Sequence, residues 1–321
     1  MSNANDFVIE NGVLTQYSGS DSIIEIPECV TEIGEYVFSE AGKITKVIFP
    51  QGLTKIGRES FSKCRKLEEV VFPQSLKEID SQAFYLCRKL KSVEVPGSCE
   101  STGSCAFWGC SGLETLVINE GVKEIGYCSF ADCTTLSQIR WPNSLKTIWH
   151  EAFSKCKSLT EVVLPAGVEQ VYPSAFGDCT SVDKVMVSKA VLDSIDAKWF
   201  RSRFNNVDLN FLWLSGKTNF DERVGELCTK SILRKKDEYA AKIIRENGAQ
   251  AMESYLSLLG KVSVETLDRL ITDSSTAGAA EVTAVLLDWK TRTFAPVEIE
   301  QATEDIIEKK LGIKAHTVAD W

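Results

Sequence analysis

The chain has 321 residues, 44% of them hydrophobic, which is enough to bury a sizeable core, and it contains no apolar stretch long enough to cross a membrane as a helix. Lys+Arg 36 against Asp+Glu 45 leaves a net charge of −9, which disfavours nonspecific binding to phosphate backbones. Neither a nucleic-acid partner nor membrane insertion is expected.

Met1-Ser2-Asn3-Ala4 opens no apolar run, and no secretory segment is visible, so the expected location is the cytoplasm, with the cell surface as the alternative. Phe7-Val8-Ile9 and Val13-Leu14 then flank Asn11-Gly12, a dipeptide suited to a tight hairpin. Such a hairpin, within residues 1–22, would cap the exposed edge of the residues C-terminal to it.

From about residue 24 the chain becomes periodic. Phe38, Phe61, Phe84, Phe107, Phe130, Phe153 and Phe176 are spaced 23 residues apart, and other columns keep the same step. Three residues after each Phe comes Ala41, Cys64, Cys87, Cys110, Cys133, Cys156 or Cys179, and five before it Ile33, Ile56, Ile79, Thr102, Ile125, Ile148 or Val171. Apolar triplets such as Val70-Val71-Phe72 end at Pro50, Pro73, Pro96, Pro142 and Pro165; their alternation turns Val70 and Phe72 inward and Val71 outward. A fixed period of this length indicates stacked copies of one small unit, which present an extended surface in place of one enclosed pocket.

The unit from Leu67 to Cys87, with its short strand ending at Pro73, its Leu76 and Ile79, and its Ala83-Phe84-x-x-Cys87, resembles the BspA-like class of bacterial leucine-rich repeats. The resemblance implies a curved solenoid with a parallel sheet on one side, used to bind proteins or cell-surface molecules, and it carries no catalytic residue. Better-known members of that class are displayed outside the cell.

After about residue 187 the period stops. Val191, Leu192, Ile195 and Trp199 share one helical face and suit a closing helix, and Asp208 to Asn219 reads as an ordered connection. Helices are expected at Asp221–Leu233, Asp237–Glu246, Ala249–Leu259, Val264–Thr272, Ala279–Thr291 and Pro296–Leu311, with Gly248, Gly260, Gly278 and Gly312 as stops. Short helices with brief turns are similar to ankyrin or other α-solenoid modules, although no ankyrin repeat pattern is present. The expected fold is therefore α+β: a hairpin cap at 1–22, a leucine-rich-repeat solenoid with a parallel sheet at 23–187, a closing helix and connection at 188–220, and an all-α domain at 221–321.

Six of the 11 cysteines occupy one column, where each serves as a small, weakly polar interior side chain. In-register thiols point the same way, which strains a disulfide torsion, and Cys99, Cys105 and Cys110 lack the paired spacing of a zinc site, so neither bridges nor metal is expected. The only histidines are His150 and His316, and no Walker A loop, dinucleotide fingerprint, G-x-S-x-G or H-E-x-x-H is present. No catalytic residue and no cofactor can be nominated.

The candidate binding residues form a column between the inward strand positions: Ile48, Val71, Glu94, Val117, Arg140, Val163 and Met186. An apolar strip rimmed by polar side chains commonly marks an interaction surface, although β-propensity alone also favours valine on strands. Trp149 and His150, near Tyr127 one repeat earlier, form a second candidate patch on a turn, and Tyr85 and Trp108 fall in another variable column. The sequence thus favours a noncatalytic scaffold for a protein partner, with a glycan partner, homo-oligomerisation through the helical domain and, last, an enzyme as alternatives.

Overall fold

The computed structural model describes residues 4–193, 209–220 and 222–294. Ile195, Trp199, His316 and the helix expected at Pro296–Leu311 lie outside the described residues. The chain divides into two compact units, Met1–Leu209 with Lys217–Gly225 and Asn210–Gly216 with Glu226–Trp321.

The first unit is a parallel-sheet solenoid, and its first wall carries the strands Ile23–Glu25, Lys46–Ile48, Glu69–Val71, Ser92–Val95, Thr115–Ile118, Gln138–Arg140, Glu161–Val163 and Lys184–Met186. Register is kept at the 23-residue step, as in Ile48 opposite Val71 and Val117 opposite Arg140. The alternation works as the sequence implies, with Val70 and Phe72 buried and Val71 65% exposed. This wall is not one sheet, however. Hydrogen-bonded pairing stops between Glu69–Val71 and Ser92–Val95 and again between Gln138–Arg140 and Glu161–Val163.

A second wall pairs Glu32–Ile33, Lys55–Ile56 and Glu78–Ile79, then Glu124–Ile125, Thr147–Ile148 and Gln170–Val171. Its interruption falls at Thr102, where the apolar column residue is missing. The Thr102 hydroxyl is buried and accepts from the Gly126 N–H at 3.0 Å and the Ser129 hydroxyl at 2.9 Å. A polar side chain there has found partners in the next coil and not in the strand ladder.

The third wall holds the phenylalanines. All seven rings are at most 1% exposed and stack coil upon coil, with centroids 4.9 Å apart for Phe38 and Phe61 and 5.2 Å for Phe84 and Phe107. Burial of each ring contributes on the order of 1.5–3 kcal/mol. The residues two before and two after each Phe adopt left-handed backbone, from Tyr36 at φ 61 and Glu40 at φ 60 to Ser174 at φ 57 and Asp178 at φ 58. That alternation turns the amides toward the following coil, so Phe61 N–H donates to Ala83 O at 2.8 Å and Lys63 N–H to Tyr85 O at 2.6 Å. The same direction holds from Tyr36 to Lys155.

The N-terminal hairpin forms as expected, with Phe7–Glu10 antiparallel to Val13–Tyr17 around Asn11 and Gly12, both at positive φ. Val13–Tyr17 extends the second wall by pairing with Glu32–Ile33, and the Tyr17 ring continues the aromatic stack 5.1 Å from Phe38. At the other end the helix Lys189–Asp193 buries Val191 and Leu192. The segment expected as a connection is more ordered than that. Leu209–Leu214 is a helix whose Leu209, Leu212 and Leu214 are buried, and Thr218 bridges to Val185, covering the edge of the last strand.

The helical unit contains Lys236–Arg245, Ala249–Leu259, Val264–Thr276 and a helix over 280–294, and the helix Glu222–Arg234 leads into it. Ile243, Leu256, Leu267, Val282 and Leu286 form its core. Ser263 caps Val264–Thr276 by accepting from Thr266 N–H at 3.2 Å, and the Asn247 side chain accepts from Glu281 N–H at 3.2 Å at the start of the next helix. Gly260 and Gly278 end their helices at positive φ.

Candidate binding face

The first wall brings the nominated column together. Ile48, Val71 and Val163 are 44%, 65% and 38% exposed, Val117 and Met186 are half-buried, and Glu94 and Arg140 project into solvent. The two interruptions divide the column into Ile48 with Val71, Glu94 with Val117 and Arg140, and Val163 with Met186. Beside it, ion pairs link successive coils: Lys46 to Glu69 at 3.0 Å and Lys184 to Glu161 at 3.0 Å. Glu94 accepts from the Asn119 amide at 2.9 Å. Among the described residues the Arg140 guanidinium has no hydrogen-bond or ion-pair partner.

Trp149 and His150 lie elsewhere, directly after the second-wall strand Thr147–Ile148. The tyrosine they meet is Tyr172 of the following coil: Trp149 stacks on it at 4.5 Å, and His150 is tilted against it at 4.9 Å. Trp149 Nε1 donates to Glu124 at 2.9 Å. Tyr85 and Trp108 also stack, at 4.9 Å. These ring pairs arise because equal columns in adjacent coils are one coil-step apart, the spacing that offset stacking prefers.

The cysteine column is interior and hydrogen-bonded. Cys64, Cys87, Cys110, Cys133, Cys156 and Cys179 each donate to the carbonyl of the phenylalanine 26 residues earlier, as in Cys87 Sγ to Phe61 O at 3.2 Å. Burial pushes the Cys64, Cys110 and Cys179 thiols up to about 12 and raises those of Cys87, Cys133 and Cys156 as well. All eleven cysteines are free, with Cys29 exposed and Cys105 half-buried.

Among the described residues no group of His, Cys, Asp and Glu is arranged to hold a metal, and no helix is long and apolar enough to cross a membrane. In the helical unit a cavity of about 650 Å³ is lined by Lys236, Asp237, Tyr255 and Arg269 among others. Within it Arg269 pairs with Asp237 at 3.1 Å, and Tyr255, its phenol raised to about 12 by burial, donates to Lys236 O at 2.9 Å. A second cavity, on the first wall of the solenoid, lies at the interruption beside Trp141.

The profile of the BspA type leucine-rich repeat region matches residues 9–137 and 129–221, in six copies. The chain belongs to the BspA-type leucine-rich repeat family. Similar solved structures are leucine-rich repeat proteins of bacteria. One from T. pallidum is 27% identical, with a TM-score of 0.53, over 56% of this chain and 90% of its own. One from Eubacterium ventriosum is 26% identical, with a TM-score of 0.50, over 57% and 52%. A leucine-rich cell surface protein from Faecalibacterium prausnitzii is 28% identical, with a TM-score of 0.48, over 58% and 51%. The match thus spans about half the length of the last two. No curated protein matches the chain. Leucine-rich repeat proteins are generally protein-interaction scaffolds and typically non-catalytic.

Proposed function

We propose that this BspA-type chain is a noncatalytic scaffold that engages a protein partner through the first wall of its solenoid. The observation that carries the reading is the in-register apolar column on the solvent side of that wall, where Ile48, Val71 and Val163 stand 38–65% exposed. Interior valines of the same strands are at most 7% exposed, so the outward ones gain nothing from the solenoid's own core. Covering them with a partner would remove apolar area from water at about 25 cal/mol per Å². Glu94 and Arg140 supply charges of both signs within the column, and Trp149 with His150 offers a separate contact on the second wall. A protein suits this face better than a glycan, because sugar recognition favours open aromatic faces and the exposed apolar residues of this column, Ile48, Val71 and Val163, are aliphatic.

A photo-crosslinking residue placed at Val71, compared with one at exposed Lys157, tests the reading in lysate of cells that produce the chain. Partner adducts are expected from position 71, and Ile48→Asp with Val71→Asp should abolish partner retention without changing the thermal midpoint. Equal crosslinking from both positions, or retention by the double variant, would place the contact elsewhere.

A further inference from the structure

The interruption beside Trp141 changes what the first wall can hold. Two inward columns lose burial at this coil only. Ile139 is half-buried, whereas its equivalents Ile24, Val47, Val70, Val93, Leu116, Val162 and Val185 are at most 7% exposed. Trp141 is half-buried, whereas Phe49, Phe72, Val95, Ile118 and Leu164 in its column are at most 7% exposed. This coil is also the one with an indole in that column, packed edge-on against Phe153 with centroids 5.3 Å apart and planes at 77°. The same two coils remain joined on the other walls, by Thr147 opposite Gln170 and by Phe153 N–H to Ala175 O at 2.7 Å.

The result is a cavity of about 450 Å³ with Ile139, Trp141 and Leu159 as apolar lining and Ser137, Gln138, Thr160 and Glu161 as polar lining. A space of that size takes a large side chain with room to spare. Its two sides are strand edges, Gln138–Arg140 and Glu161–Val163, that do not pair with each other, and unpaired strand edges are templates for the amides of an extended peptide. The charge beside it is set by Arg140, because Glu161 is neutralised by Lys184 at 3.0 Å while the Arg140 guanidinium has no partner among the described residues.

We propose that the cleft between Gln138–Arg140 and Glu161–Val163 receives an aromatic side chain of an extended peptide whose neighbouring carboxylate pairs with Arg140. The proposal rests on reading the first wall as the partner-binding face and names the chemistry that face selects.

The test uses the full chain on an immobilised array of synthetic peptides. Each peptide has a Gly-Ser-Thr background bearing one Trp, Phe, Leu or Ala and, within a few residues, one Asp, Lys or Ser. Peptides pairing Trp or Phe with Asp are expected to be retained at least about tenfold more strongly than those with Ala or Lys. Arg140→Glu should reverse the preference from Asp to Lys. Trp141→Val, which restores the size usual in that column, should erase the aromatic preference, and Thr160→Trp should do the same by filling the cleft from its rim even if the core substitution fails to fold. An array without aromatic-plus-acid preference, or a preference unchanged in Arg140→Glu and Thr160→Trp, overturns the proposal. If that happens while Ile48→Asp with Val71→Asp still abolishes partner retention, the cleft assignment falls and the strand-face reading stands; unchanged retention by that double variant removes the reading itself.

Discussion

The thiol of Cys110 donates to the carbonyl oxygen of Phe84, one coil earlier, at 3.2 Å. The pair joins the two most regular columns of the sequence, since the carbonyl belongs to a ring of the aromatic stack and the thiol follows the next ring by three residues. Both are fully buried.

The thiol column sets an alkaline limit. Burial raises Cys110 to about 12 from an ordinary 9.0, so the folded state holds the proton that the unfolded chain releases. The stabilisation is complete below pH 9 and is lost as pH rises from there toward 12, by up to about 1.4 kcal/mol per pH unit for each such thiol. Thermal midpoints should therefore fall from pH 9 upward, and Cys110→Ala should flatten the decline. A midpoint level to pH 11 would contradict it. Near neutral pH, Cys29 and Cys105 should react with a thiol reagent first, and the column thiols only on unfolding.

Removing one ring from the stack should leave a cavity that its neighbours on either side cannot fill. Phe107→Ala is expected to cost about 3–5 kcal/mol, read by urea denaturation, with Phe107→Leu costing less. An unchanged midpoint in the alanine variant would show that the ring is not part of the core.

Left-handed positions beside the rings predict an unusual substitution pattern. Lys155, exposed and at φ 63, should tolerate glycine with no loss of stability, whereas Lys155→Val should cost about 1–2 kcal/mol, because a β-branched residue resists positive φ. Equal midpoints for the two variants would argue against this backbone.

Cross-coil ion pairs should matter little. The pairs Lys46–Glu69, Lys91–Glu114, Lys123–Glu100 and Lys146–Glu169 are 40–75% exposed, and such pairs contribute about 0–1 kcal/mol each. Raising NaCl to about 1 M should leave the unfolding midpoint nearly unchanged. A collapse would mean that charge, not burial, holds the coils together.

The interior of the solenoid is legible in the sequence because the repeat places every member of a column in one environment: Phe107, Cys110 and Leu113 are buried for the same reason as Phe84, Cys87 and Leu90. The outward column can be read by the same rule. The left-handed positions cannot, since Tyr36, Glu59, Lys63 and Leu86 carry none of the glycine or asparagine that usually advertises positive φ; the cross-coil hydrogen bonds impose it. The opening at Trp141 has one faint signal, an indole in a column of smaller side chains, but only three-dimensional packing shows that the wall is parted beside it. The repeat spacing links His150 to Tyr127, yet His150 leans on Tyr172, the ring one period after Trp149, because period alone does not say which neighbour a side chain leans toward. Leu209–Leu214 is helical where a connection is expected because its apolar face is buried, a tertiary effect absent from local pattern.

On the third wall, every second peptide group is polarised the same way, with N–H directed toward the Phe176 end and C=O toward the Phe38 end. Opposed dipoles largely cancel in ordinary sheets, but here they add. Elsewhere in each coil amides point the other way, as Glu68 N–H to Thr45 O at 2.8 Å and Asp80 N–H to Ile56 O at 2.9 Å, so the solenoid has opposed electrical faces and no single pole: at its late-sequence end anionic groups are favoured beside the third wall and cationic groups beside the others.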